Sequence, residues 1–132
     1  MSAYTFSVRT DVQRNLMYID QRGCPTAADF LDLKQDFLTA LGELRPGFSV
    51  INDQRGMEPY DDEAMEVAKE LVKITNDHQA SRVIRIVPAD LLSTITLSST
   101  LVAAGSRYAS IRVASPEEAE EALRALTEDP AR

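Results

Sequence analysis

The sequence predicts an α/β protein: a mixed, mostly parallel five-stranded sheet with four helices, in the order β-β-α-β-α-β-α-β-α. Three observations lead there. Short runs with strand periodicity alternate with longer segments at helical spacing, the pattern of crossover units. The first two strands are separated only by a short polar stretch, "DVQRN", which predicts an antiparallel hairpin at the start. The strands also carry Thr5, Ser7, Arg9, Arg85, Ser110 and Arg112 at alternate positions, so part of the sheet is expected to face water near its edges. A chain of 132 residues is most simply one domain, with its core over residues 4–126 and a fraying tail at 127–132.

The elements follow in order. Tyr4, Phe6 and Val8 alternate with Thr5, Ser7 and Arg9, the period of a half-buried strand. Leu16–Asp20 is the second strand, and Gly23-Cys24-Pro25 ends it. Thr26 is an N-cap, with Asp29 as its capping-box partner, for a helix whose stripe is Phe30, Leu33, Phe37, Leu38, Leu41 and Leu44. "RPG" stops that helix, and Phe48–Ile51 is the third strand. Asp61–Asp77 is the second helix, with Ala64, Met65, Ala68, Leu71, Val72 and Thr75 facing inward. Arg82–Val87 is the fourth strand, and a third helix runs from a cap at Asp90 to about Ala104. Tyr108–Val113 is the fifth strand. The last helix opens on Ser115-Pro116-Glu117-Glu118, with Ser as cap, Pro at the first position and Glu at the third. It is expected to bury Ala119, Ala122, Leu123 and Leu126.

Composition narrows the function. With 14 basic and 21 acidic residues the formal charge is −7 and the sequence pI about 4.7. Binding to nucleic acid draws on Lys and Arg contacts with phosphates, so an acidic chain without a basic run is a poor candidate, and anionic membranes repel it likewise. The longest charge-free stretch, Leu91–Ser106, falls short of the roughly 20 apolar residues of a spanning helix. One cysteine, Cys24, excludes an intrachain disulfide and fits a reducing compartment. With no apolar signal segment at the start, a cytoplasmic location is expected.

The element order, over nearly the whole chain, and the stretch "NDQRGMEPYDDEAM" at Asn52–Met65 resemble the STAS domain (sulfate transporter and anti-sigma factor antagonist). In the antagonists of that family the third strand is followed by an Asp, a small-residue turn and an apolar position. A second Asp then precedes two hydroxyl residues and a Gly that open the next helix. Laid on this chain, Asp53 takes the first Asp, and Gly56 lies in the turn. Met57 and Tyr60 take apolar positions, and Asp61 takes the second Asp. Asp62 and Glu63 occupy the hydroxyl positions, Ala64 replaces the Gly, and Met65 takes the apolar place after it. The family's hydroxyl is phosphorylated by a partner kinase to switch binding off. Carboxylates there imply a surface without that switch.

Two roles for Asp61, Asp62 and Glu63 compete. Carboxylates in a first helical turn stabilise the unpaired N–H groups and the positive end of the dipole, by roughly 0.3–1 kcal/mol each. They also form a fixed negative patch suited to docking a basic protein partner. The leading expectation is a regulatory, non-catalytic STAS-like domain docking through Asp53, Gly56, Met57, Tyr60, Asp61, Asp62 and Glu63. The alternative is a carrier of a small ligand, a nucleotide or lipid, in a cavity under Met57, Tyr60 and Met65. Arg9, Arg85 and Arg112, at corresponding out-facing strand positions, are candidate anion contacts or a solvated face. Thr94, Leu97 and Leu101 form a charge-free face of the third helix, buried within the monomer or packed on a second copy. Cys24 and the sole histidine, His78, are not expected to form a catalytic pair. No phosphate-binding glycine motif, cofactor motif or metal-ligand spacing is present.

Overall fold

The structure, a computed structural model, describes residues 2–89 and 107–127, with side chains as far as Ala125. Its strands are β1 (Thr5–Asp11), β2 (Leu16–Gly23), β3 (Ser49–Met57), β4 (Arg82–Ile86) and β5 (Ala109–Val113). The described helices are α1 (Ala27–Leu41), α2 (Asp62–Asp77) and α3 (Pro116–Thr127). The helix expected over 90–104, with Thr94, Leu97 and Leu101, lies outside the described residues, as does the side chain of Leu126.

The five strands lie in sequence order, β1-β2-β3-β4-β5. β1 is antiparallel to β2, and every other pair is parallel. The hairpin turns through Asn15, whose φ of 52° is a conformation Asn tolerates better than most residues. The same side chain pins the segment after α1: Oδ1 accepts from the Arg45 N–H at 2.8 Å and Nδ2 donates to the Arg45 carbonyl at 3.1 Å. Local chemistry starts each helix. Thr26 and Asp29 form the reciprocal capping box of α1. Ser115 Oγ accepts from the Glu118 N–H at 3.1 Å, with Pro116 at the first helical position of α3.

Two cores result, one on each sheet face. Met17, Ile19, Val50 and Val83 meet Phe30, Leu33 and Phe37 of α1 and Ala64, Val67 and Ala68 of α2. Leu16, Ile51, Ile84, Ile86 and Val113 meet Ala119 and Leu123 of α3. Burying a large side chain contributes about 1.5–3 kcal/mol, so Phe48, Leu16, Met17 and Ile84, all essentially inaccessible, anchor the sheet. α3 packs over β3, β4 and β5, so Thr5, Ser7 and Arg9 on β1 stay exposed.

Three expectations are corrected. Leu38, placed on the inward stripe of the first helix, is 43% exposed, and Ala40 is buried instead, because α1 turns its Leu33–Phe37–Ala40–Leu41 side to the sheet. β3 does not end at Ile51 but runs on to Met57, because β2 also continues to Gly23 and keeps pairing with it. Lastly, the three arginines do not share a face. Arg9 pairs with Tyr18, on the α3 side of the sheet, and its guanidinium lies 4.6 Å from that ring's centre. Arg85 and Arg112 pair with each other and, through Asn52, belong to the α1/α2 side.

Candidate functional site

The site forms where β3 hands over to α2. β2 and β3 pair irregularly near their ends: Asp20 faces Asp53, but Arg22 faces Gly56, which leaves a bulge in β3. Gly23 makes the exit of β2 with φ +86°, and a Cβ there would come within 2.2 Å of the Ala3 carbonyl oxygen. Residues 2 and 3 therefore lie directly against the junction. The Cys24 N–H donates to the Ser2 carbonyl at 3.0 Å, the Ser2 N–H to Glu58 Oε2 at 3.1 Å, and the Glu58 N–H to the Gly23 carbonyl at 2.9 Å. Cys24 Sγ lies 3.3 Å from the Pro59 carbonyl oxygen. Pro59 then leads into Tyr60, whose ring packs edge-on against Phe30 at 5.1 Å between centroids.

The acids divide into three kinds. Asp53 sits inside β3 and is gripped by Arg55, with Nη2–Oδ2 at 2.7 Å and Nε–Oδ1 at 3.0 Å. Partial burial pushes its carboxyl up, but the Arg55 hydrogen bonds outweigh that and hold it below its ordinary value. Asp61 is the N-cap of α2 and accepts from the Ala64 N–H at 2.9 Å. Asp62 and Glu63 stand exposed on the first turn, and among the described residues neither makes an ion pair or hydrogen bond. Gly56, expected in a turn, is an exposed strand residue whose missing side chain leaves room for Arg22. Met57 and Tyr60 are half-buried against the α1/α2 core.

Behind the junction, between the sheet and α1 and α2, lies a cavity of about 90 Å³. Of the three residues expected beside a cavity, Met57 and Tyr60 border it and Met65 does not. Its floor holds residues that hydrophobic patterning passed over. Gln21, only 3% exposed, accepts from the Tyr4 hydroxyl at 2.7 Å and donates through Nε2 to Asn52 Oδ1 at 2.8 Å. Asn52 is the register partner of Arg85, whose Nη1 donates to Ser110 Oγ. The signal was present as alternation: Gln21 follows Met17 and Ile19 on the inward face, and Asn52 follows Val50. Burial pushes the Tyr60 hydroxyl above its ordinary pKa, and the positive charge of Arg85 works against that shift.

Nothing here assembles into an obvious reaction centre. Cys24 touches the segment that precedes α2, while His78 caps the far end of that helix, with Nδ1 2.9 Å from the Ile74 carbonyl. A helix of 16 residues spans about 24 Å, too far for a nucleophile and its base. Among the described residues no three His, Cys, Asp or Glu side chains converge as metal ligands do. Nor is any described helix long and apolar enough to cross a membrane.

A parallel sheet opened by an antiparallel hairpin, with a helix mouth beside the end of the third strand, is a SpoIIAA-like, and so STAS-like, α/β architecture. The chain is similar in structure to an uncharacterized protein of the DUF3478 family from Shewanella loihica PV-4, which has a SpoIIAA-like fold. The TM-score is 0.70 and the sequence identity 15%, over 93% of this chain and 98% of that one. No protein-family model matches the sequence. No curated protein matches it.

Proposed function

We propose that this protein is a non-catalytic regulatory module that docks a basic protein partner at the β3–α2 junction. The observation that carries the reading is the division of labour among three successive acids. Asp61 is committed to the cap, whereas Asp62 and Glu63 project exposed beside it with no described cation to neutralise them. Carboxylates in a first turn also favour the helix N-terminus, so these two acids can serve stability and docking together. As a docking edge they supply charge complementarity, which raises the encounter rate and weakens as salt screens it. In the STAS antagonists these positions hold the phosphorylated hydroxyl. Here the negative charge is permanent, so docking is constitutive and its control lies in partner supply. Capture of partners from source lysate tests this. The partner is lost with Asp62→Lys plus Glu63→Lys and released from the unaltered protein by a few hundred millimolar salt; an unchanged partner set contradicts it.

A second reading is favoured by the cavity: a small ligand held between sheet and helices, walled by Met57, Tyr60 and Phe30 over a polar floor. At about 90 Å³ the space suits about three waters, or a ligand of a handful of heavy atoms, and is small for a nucleotide. Native mass spectrometry of the purified protein tests it: a discrete added mass, lost on denaturation, supports a carried ligand.

A further inference from the structure

We propose that the cavity is built for a small amphiphile with an anionic head, of the short-chain carboxylate class, whose head sits on Asn52 and Arg85 and whose body lies against Phe30, Leu71 and Val72. This rests on the reading of the cavity as a ligand pocket and adds the sign and size of what enters it.

The sign comes first. Acids outnumber bases 21 to 14 in this chain, yet the described lining of the cavity has no carboxylate. Its single formal charge is the guanidinium of Arg85. Arg85 donates one N–H to Ser110, and its remaining donors are not claimed by any described residue. A cationic ligand meets repulsion there, whereas an anionic head gains a charge-assisted hydrogen bond that a neutral one does not.

The direction of the buried hydrogen bonds agrees. The Tyr4 hydroxyl donates to Gln21 Oε1, and Gln21 Nε2 donates to Asn52 Oδ1. Each group spends its acceptor on the one before, so the chain ends in the Nδ2 donor of Asn52. Reversing it leaves the Tyr4 hydroxyl hydrogen without its acceptor in a part-buried place. No side-chain nitrogen or oxygen among the described residues is fully buried without a partner, so the spare Asn52 and Arg85 donors face accessible space. Asn52 and Arg85 are register partners on adjacent strands, about 4.8 Å apart along the hydrogen-bonding direction. Both side chains border the cavity, so one anionic head can accept from both. The opposite wall is apolar, from Phe30, Leu33, Leu71 and Val72. The volume limits the ligand to a short body.

The test is a titration of the full chain, followed by amide chemical shifts, with propionate, propanol and propylammonium in turn. Propionate is expected to bind at least tenfold more tightly than propanol, with shifts centred on Asn52, Tyr60 and Arg85, and propylammonium not to bind there. Arg85→Met is expected to lower propionate affinity at least tenfold, to the level of propanol, and Arg85→Lys to restore part of it. Equal binding of propionate and propanol overturns the anionic head but leaves a ligand pocket. No shift at the cavity with any of the three overturns the pocket reading and this inference together. The comparison of three ligands on the unaltered protein decides the matter even if Arg85→Met does not fold.

Discussion

Replacing Gln21 by leucine probes the feature that joins the fold to the cavity. Gln21 is 3% exposed and makes two short hydrogen bonds, to Tyr4 and Asn52. Each such bond contributes about 0.5–1.5 kcal/mol net, and a buried polar group left without a partner costs about 1–3 kcal/mol. Leucine orphans the Tyr4 hydroxyl, while Asn52 borders the cavity and recovers a water. Partly offset by the better burial of leucine, the loss comes to about 2 kcal/mol. Unfolding entropy of about 2.1 cal/mol/K per residue gives about 0.28 kcal/mol/K for 132 residues, so Tm falls by about 7 °C. The assay is thermal and urea unfolding of Gln21→Leu, Tyr4→Phe and the double variant. Removing both partners is expected to cost about 1 kcal/mol less than the two single changes summed, since the second removes a group already orphaned. A fall below about 2 °C for Gln21→Leu, or strict additivity in the cycle, refutes a buried Tyr4–Gln21–Asn52 chain.

Other consequences are as direct. Asp61→Ala removes the N-cap of α2 and is expected to cost about 1 kcal/mol, or about 4 °C in Tm, whereas Asp61→Asn stays close to the unaltered protein because Asn also caps; calorimetry of the pair checks it. Burial, aided by the nearby Asp29 carboxylate, raises the Tyr4 hydroxyl well above its ordinary pKa of 10.0, and burial raises Tyr60 too. Their contribution to stability is therefore complete below pH 10 and is lost as pH climbs beyond it, because the unfolded chain ionises first. Urea unfolding from pH 8 to 11 is expected to show this decline, and Tyr4→Phe to flatten it. Gly23→Ala sets a methyl against the Ala3 carbonyl at a positive φ and is expected to destabilise by about 2 kcal/mol or more, read from the urea midpoint.

Much of this molecule was legible in its sequence, for identifiable reasons. Helix starts came through where caps are local: Thr26–Asp29 and Ser115–Pro116 announce themselves within four residues, whereas Asp61, expected in the first turn, is the N-cap of α2. The SpoIIAA-like order of elements came through because strand and helix periods differ so plainly. What hydrophobicity could not report was the length of β2 and β3. Asp20-Gln21-Arg22 and Asn52–Arg55 are polar, yet they are strands, held by the ladder and by pairs such as Asp53–Arg55 and Gln21–Asn52. Sheet pairing is a long-range fact, and a polar strand gives it no local sign. The same omission hid the cavity floor. Alternation gives parity within one strand, whereas parity between strands needs the register, which is why Arg9 and the pair Arg85 and Arg112 lie on opposite faces despite their like positions in the sequence pattern.

The most direct measurement of the account compares two charge reversals, each made in the first turn of a helix. Asp62→Lys/Glu63→Lys alters the first turn of α2, and Glu117→Lys/Glu118→Lys alters the equally exposed first turn of α3. Both change the net charge by the same amount and place cations in a first turn, so bulk charge is matched, and urea unfolding of each variant separates any loss of stability from a loss of docking. Partner affinity is predicted to fall at least tenfold in the α2 variant and less than twofold in the α3 variant. Equal losses, or none in either, contradict docking at the β3–α2 junction.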